Sequence, residues 1–180
     1  MNIRPVSFGH PDAVRLNERV QLEYAERYGN EGDVTVLAPG MFQPPHGLYL
    51  AVYDTAGTPV ATGGWRSHNE DEHAHTDGDA EIKRMYVVPE ARGRGLSRLV
   101  LAALEKDARG AGRTRMILKT GTRLPEAISL YVSSGYEPCA RFGRYRFDAL
   151  SRCYAKALVP VPVPATTGSG SAAVATRRVG

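Results

Sequence analysis

The run Arg92-Gly93-Arg94-Gly95-Leu96-Ser97 combines the residue types and spacing that hold an anion. It follows a strand-like stretch, 80–88, and precedes a helix-like one, 96–108. The first N–H groups of a helix have no partner inside it and are free to bind phosphate oxygens. Gly93 and Gly95 let a ligand approach the backbone, because no Cβ stands in the way. The turn is therefore a candidate pyrophosphate site. Two familiar phosphate loops do not describe it. The dinucleotide fingerprint needs a third glycine where this chain has Arg98, and the G-x-x-x-x-G-K-[ST] loop is absent.

Composition narrows the field. The chain has 180 residues, 42% apolar and 23% charged, which suits one soluble globular domain with a real core. No apolar run approaches the roughly 18 residues that a membrane span requires, and 1–8 lacks a basic-then-apolar leader pattern. A cytoplasmic protein with no membrane partner is expected. Two cysteines, Cys139 and Cys153, fit a reducing compartment, and neither has a histidine nearby in sequence to activate it. The net charge is +4, and positive residues crowd between Lys83 and Arg123. That density suits either a solvated face or a field that attracts phosphates. No nucleic-acid motif accompanies it and few aromatics interleave it, so no nucleic-acid partner is expected.

The elements that must position the turn follow from periodicity. A strand is expected over 3–8 and a helix from Pro11 to about Arg27, with Ala13, Leu16, Val20 and Tyr24 on one face. Strands over 48–53 and 60–67 flank a Thr55–Pro59 turn and make a hairpin. Leu96, Leu99, Val100, Ala103 and Leu104 form the apolar stripe of the helix after the turn, which Gly110 and Gly112 end. A buried strand at 116–120, a helix from Pro125 ended by Gly135, and strands over 136–142 and 151–158 complete the list. The acidic run 68–78 reads as an exposed loop. His73, His75 and Asp77 have a chelating spacing, but ordering a flexible loop costs entropy, and no metal is expected. The segment 159–180 is a low-complexity tail after a folded domain over 1–158.

Three segments together carry a family resemblance. Arg92, Gly95 and Ser97 match R-x-x-G-x-[small]; E-I-K-R-M-Y-V-V-P-E at 81–90 looks like a central strand ending in V-x-P; P-E-A-I-S-L-Y-V-S-S-G-Y at 125–136 resembles A-x-x-L-Y-x-x-x-G-[FY]. In this order and spacing they resemble the GNAT-type N-acetyltransferases over roughly 1–158. Ser97 departs from the family's Gly or Ala, and a small serine preserves close packing. The resemblance implies an α/β fold, a mixed, mostly antiparallel sheet flanked by helices, and acetyl-CoA as co-substrate.

It also implies roles. Arg92, Gly93, Arg94, Gly95, Leu96 and Ser97 would hold the cofactor's pyrophosphate, and the backbone of Met85, Tyr86 and Val87 would meet the acetyl carbonyl. Tyr131 would protonate the departing thiolate; its alternative is a core aromatic with a partnered hydroxyl. Glu81 would be the general base, directly or by way of water, or else an ion-pair partner for Lys83 or Arg84. Strand alternation puts Glu81, Lys83 and Met85 on one face unless a bulge intervenes. For the acceptor, Trp65, Arg66 and Tyr145, with Phe42 and Tyr49, could line a pocket, or could simply pack. The expected activity is acetyl transfer to the primary amine of a small molecule, by direct attack in a ternary complex. A protein or peptide amine is an alternative acceptor, and a non-catalytic acyl-CoA sensor is the rival from another class. Many relatives pair, so a homodimer is expected, with either the last strands or the tail as an extended arm near its interface.

Overall fold

The computed structural model describes residues 1–29, 32–67 and 78–158. Seven strands form one sheet in the order β1-β2-β3-β4-β5-β7-β6. These are β1 Asn2–Pro5, β2 Gly47–Tyr53, β3 Pro59–Ser67, β4 Asp79–Val87, β5 Arg115–Gly121, β6 Glu137–Pro138 and β7 Ser151–Ala157. All neighbours are antiparallel except β4 and β5. Three helices accompany them: α1 Pro11–Tyr28, α2 Leu96–Gly110 and α3 Pro125–Ser133. The mixed, mostly antiparallel architecture expected from the sequence is the one observed.

Local chemistry sets the helix ends. His10 caps α1, its Nδ1 accepting from the Asp12 N–H at 3.2 Å, with Pro11 in the first turn. Gly29 closes α1 in the left-handed conformation and donates to the Ala25 carbonyl. The N-terminus of α2 differs. Gly95 stands at its cap with no side-chain hydrogen bond, so the first amides of the helix have no capping group.

The faces of the sheet are told apart by β3. A Cβ on Gly63 would run into Met85 and Val100, and Trp65 donates to Asp107 of α2 at 2.8 Å, so both residues face α2. Gly64 faces the other way, toward Tyr49 and Phe42. The main core lies under α2, where Leu96, Val100, Leu101, Leu104 and Ala108 meet Leu50, Trp65, Ile82 and Leu118. On the far face Ala13 of α1 packs with Phe42 and Tyr49, and the Tyr49 hydroxyl donates to Asn17 at 2.7 Å.

Several sequence expectations need correction. The stripe of α2 is rotated: Leu99 is 42% exposed, whereas Leu101 and Glu105 are buried. Glu105 goes inside because Lys156 and the Tyr136 hydroxyl both bind its carboxylate, at 2.8 and 3.0 Å. The strand expected over 136–142 shrinks to Glu137–Pro138, because proline has no N–H to donate and Gly143 turns the chain at φ 66°. The first strand pairs only over Asn2–Pro5, with one further bond from the Val6 N–H to the Tyr49 carbonyl. Alternation in β4 fails at Arg84, whose φ is 55°. Lys83 pairs with Gly64 and Tyr86 with Thr62, so Arg84 and Met85 together face the single Gly63. This bulge turns Met85 toward α2, while Glu81 and Lys83 stay on the α1 face.

Candidate active site

The bulge has a larger consequence. β4 and β5 pair from Asp79–Arg115 to Ile82–Leu118 and then stop, although β4 runs on to Val87 and β5 to Gly121. Their lower ends are pinned by Arg115, which grips the fully buried Asp79 through two bonds of 2.7 and 2.6 Å. Above Ile82 the bulge bends β4 away from β5. The backbone of 83–87 on that side has no strand partner, and a wedge opens between the strands.

A cavity of about 380 Å³ occupies this wedge. Its walls are Met85, Tyr86 and Val87 of β4 and Lys119, Thr120 and Gly121 of β5. At one mouth stand Arg92, Gly93, Gly95, Leu96 and Ser97. Gly93 and Gly95 both have φ 75°, and nothing lies within 4 Å of where a Cβ would stand on either. A positive φ and open space over uncapped helical amides are the requirements of a phosphate cradle. Arg92 is fixed beside it, donating to the Val87 carbonyl at 3.1 Å and to Glu23 of α1 at 2.6 Å. Arg94 does not line the cavity; it is exposed and reaches back to the Glu90 carbonyl.

Tyr131 projects from α3 to the cavity wall. Its ring meets Tyr136 edge-on at 5.6 Å, and its hydroxyl has no hydrogen-bond partner among the described residues. Burial, with a contribution from Tyr24, pushes its pKa far above the usual phenol value, so it stays a neutral O–H donor. Gly135, at φ 85°, ends α3 so that the Tyr136 N–H returns to the Tyr131 carbonyl at 3.1 Å, which fixes the residue's position.

The opposite mouth is built from α1, the segment after it, and the β6–β7 connection. Tyr24, Tyr28, Asp33, Arg84 and Tyr145 gather there. Arg84 donates to Gln21 at 2.8 Å and lies 3.5 Å from the Asp33 carboxylate. Burial works to raise the Asp33 pKa, but the Thr35 hydroxyl, Arg84 and Lys83 outweigh it and hold the carboxyl below its usual value. The Tyr145 hydroxyl accepts from the Val34 N–H at 3.0 Å.

The other sequence candidates sit elsewhere. Glu81 is 2% exposed and does not line the cavity; Arg66 binds one of its oxygens at 3.0 and 3.1 Å and Lys83 pairs with the other. Arg66 is thus occupied as an ion-pair partner, and Trp65 lies under α2 on the other face. Phe42 and Tyr49 pack with Phe8 in the smaller core. Sequence reasoning missed Asp33, Lys119, Tyr24 and Tyr28, which come from segments far apart in the chain. Cys139, just after β6, donates its N–H to the carbonyl of Cys153 in β7; both are free thiols, and burial pushes the Cys139 pKa up to about 11, which opposes a nucleophilic role. Among the described residues no group of acidic, histidine and cysteine side chains could hold a metal, and no helix is long and apolar enough to cross a membrane. The 68–77 loop, with His73, His75 and Asp77, and the 159–180 tail lie outside the described residues.

Comparison with known proteins places this geometry. A structure assigned as an acyl-CoA N-acyltransferase from Klebsiella pneumoniae superposes with TM-score 0.70 at 27% identity, covering 88% of this chain and 97% of that one. An aminoglycoside 6'-N-acetyltransferase complexed with coenzyme A shares the fold, with TM-score 0.63 at 17% identity over 91% of this chain and all of the other. In sequence the chain is 33% identical to the uncharacterized N-acetyltransferase YjgM of Escherichia coli, over 66% of this chain and 73% of that protein. It is 40% identical to an IAA acetyltransferase of Azospirillum brasilense over 81 residues, 45% of this chain and only 53% of that protein's length. The sequence model of the acetyltransferase (GNAT) family matches residues 14–136, from α1 across the glycine turn to the end of α3. With the wedge, the cradle and the buried tyrosine in place, these matches make the chain an acyltransferase of the GNAT family.

Proposed function

We propose that the protein transfers an acetyl group from acetyl-CoA to the primary amine of a small molecule, by direct attack in a ternary complex. The observation that carries this reading is the placing of Tyr131. A neutral phenol with an unengaged hydroxyl faces the same wedge that the glycine turn opens into. The fold supplies acyl-CoA use through the family. The pyrophosphate would rest on the amides of the Arg94–Ser97 turn, with Arg92 beside it, and the pantetheine arm would run down the unpaired edge of β4 past Val87, Tyr86 and Met85. There the N–H groups that β5 leaves unpaired would polarise the thioester carbonyl and stabilise the oxyanion of the tetrahedral intermediate.

The chemistry balances simply. The amine nitrogen bonds to the acetyl carbon, the carbon–sulfur bond breaks, and the thiolate takes a proton from Tyr131. The proton lost by the amine goes to Glu81, and because Glu81 stands outside the cavity lining, intervening water carries it. A cavity of about 380 Å³ suits a small acceptor. The IAA and aminoglycoside acetyltransferases among the similar proteins are named for small molecules, which fits this preference. A cytoplasmic homodimer is proposed as the working form. Light scattering on the full chain and on a chain ending at Leu158 tests the assembly, and a monomer in both would refute it.

A screen of amine acceptors, read by release of the CoA thiol, tests the function. Turnover with at least one small amine, lost in Tyr131→Phe at unchanged acetyl-CoA affinity, is the expected result. Tight acetyl-CoA binding with no turnover on any amine would overturn it.

A further inference from the structure

The β5 wall of the cavity carries a cation that rests against an aromatic ring. Lys119 lines the cavity, yet among the described residues its ammonium makes no hydrogen bond or ion pair; it stands 4.3 Å from the centre of the Tyr145 ring. The other cations nearby are engaged: Lys83 by Glu81, Arg84 by Gln21 and Asp33, Arg92 by Glu23. Burial and the charge on Lys83 lower the Lys119 pKa and outweigh the more distant carboxylates of Asp33 and Glu81, neither of which is ion-paired with it. Burying a charge without a partner is costly, and an arriving anion would relieve that cost.

A second group beside it is also unsatisfied. Lys119 pairs with Cys153 and Gly121 with Ser151, so Lys119 and Ser151 are diagonal neighbours on one face of the sheet. Ser151 lines the same cavity, and among the described residues its buried hydroxyl has no hydrogen-bond partner. Two donors without acceptors, side by side on a cavity wall, mark a place for an anionic oxygen.

The direction in which they point decides whose anion it is. Leu118 packs in the core beneath α2, so Lys119, the next residue, points to the opposite face. The glycine turn sits at the N-terminus of α2. The cofactor's phosphates therefore belong to one mouth, and Lys119 serves the other, with Asp33, Arg84 and Tyr145.

We infer that Lys119, assisted by Ser151, anchors a carboxylate of the acceptor, so that the acceptor belongs to the amino acids and related amino-carboxylates rather than to polycationic amines. This rests on the proposed transfer to a small-molecule amine. It assigns Lys119 to binding and not to proton transfer.

The test uses a binding arm and a turnover arm. In the first, the full chain loaded with CoA is titrated by calorimetry with a panel of N-acetyl-amino acids and their neutral carboxamides. At least one carboxylate should bind, about 10- to 100-fold more tightly than its amide. Lys119→Met should abolish that preference and Lys119→Arg should keep most of it, and the melting temperature should change little in either, since the contact at stake is the one with the Tyr145 ring. In the second arm, thiol release is measured with amino acids and with their decarboxylated amines. Lys119→Met should raise KM for the amino acid by a similar factor, leave its kcat near wild type, and leave the decarboxylated amine unaffected. Equal binding of acid and amide, no carboxylate binding at all, or a defect confined to kcat would overturn the assignment. Carboxylate binding that depends on Lys119 without any turnover would uphold the anchor and overturn only the acetyl-transfer reading.

Discussion

Met85 occupies the space that a side chain at Gly63 would need: a Cβ there would stand 2.6 Å from the Met85 sulfur and 2.9 Å from Val100. The bare backbone of β3 is what lets the bulged strand opposite turn a large residue toward α2. Gly63→Ala should therefore destabilise the fold by about 1–3 kcal/mol through overpacking, read as a lowered denaturation midpoint. Adding Met85→Ala should recover part of the loss, because the two changes share one contact. Simple additivity of the two would contradict this account.

Tyr131→Phe should reduce turnover by about 10- to 10⁴-fold and leave acetyl-CoA affinity nearly intact. The wild-type pH profile carries the same information. Burial holds the Tyr131 phenol above its ordinary value of 10.0, so the donor does not ionise in the neutral or mildly alkaline range. Turnover should rise as the acceptor amine loses its proton and then level off, with no fall below about pH 10 from this group. An alkaline limb centred near pH 8 would show that another acid protonates the thiolate.

Glu81→Gln needs a pH series to be read. The change leaves Arg66 and Lys83 facing a neutral amide, so some loss is expected from structure alone. A base role adds a defect that shrinks as pH rises and free amine becomes abundant. A loss that is the same at every pH would leave Glu81 as an ion-pair residue only.

Gly95→Val should weaken CoA binding by more than about tenfold, since a β-branched residue resists a positive φ and would fill the space left for phosphate. Acetyl-pantetheine, which lacks the pyrophosphate, should bind the variant and the wild type alike. Calorimetry giving equal CoA affinities would remove this turn from the site.

Asp33 should leave a signature in acid. Its folded carboxyl lies below the ordinary 3.8, so ionised Asp33 stabilises the fold above that pH, and the contribution is lost as pH falls through the lower folded value. The gap in stability between wild type and Asp33→Asn should be constant above about pH 5 and should close below about pH 4. A gap that widens in acid would reverse the sign and disprove it.

The glycine turn and Tyr131 were legible in the sequence because each is fixed by its own neighbours. A strand, two glycines and a helix make the cradle, and a helix closed by Gly135 aims the tyrosine. Of the far mouth, Tyr145 alone was legible. Asp33, Arg84, Lys119 and Tyr145 meet only because β4 leaves β5 at Ile82, and that departure depends on one residue with φ 55° that no pattern of side chains announces. Trp65 and Arg66 show the converse: adjacent residues with attractive chemistry, which the pleat sends to opposite faces and into structural contacts. Leu99 and Glu105 misled for another reason. Periodicity alone cannot foresee that Lys156, far along the chain, makes a glutamate a better core residue than a leucine.

Trp65 has a practical value. It is the single tryptophan of the chain, 1% exposed, with its indole N–H donating to Asp107. Such an indole emits at short wavelength, and its emission moves red when water reaches it. The protein thus carries its own fluorophore at the seam between α2 and the sheet, well placed to follow unfolding. Because Trp65 is not part of the cavity wall, ligands that fill the cavity will leave its signal dominated by the state of that seam, so that loss of the fold and occupancy of the site can be followed as separate signals in one cuvette.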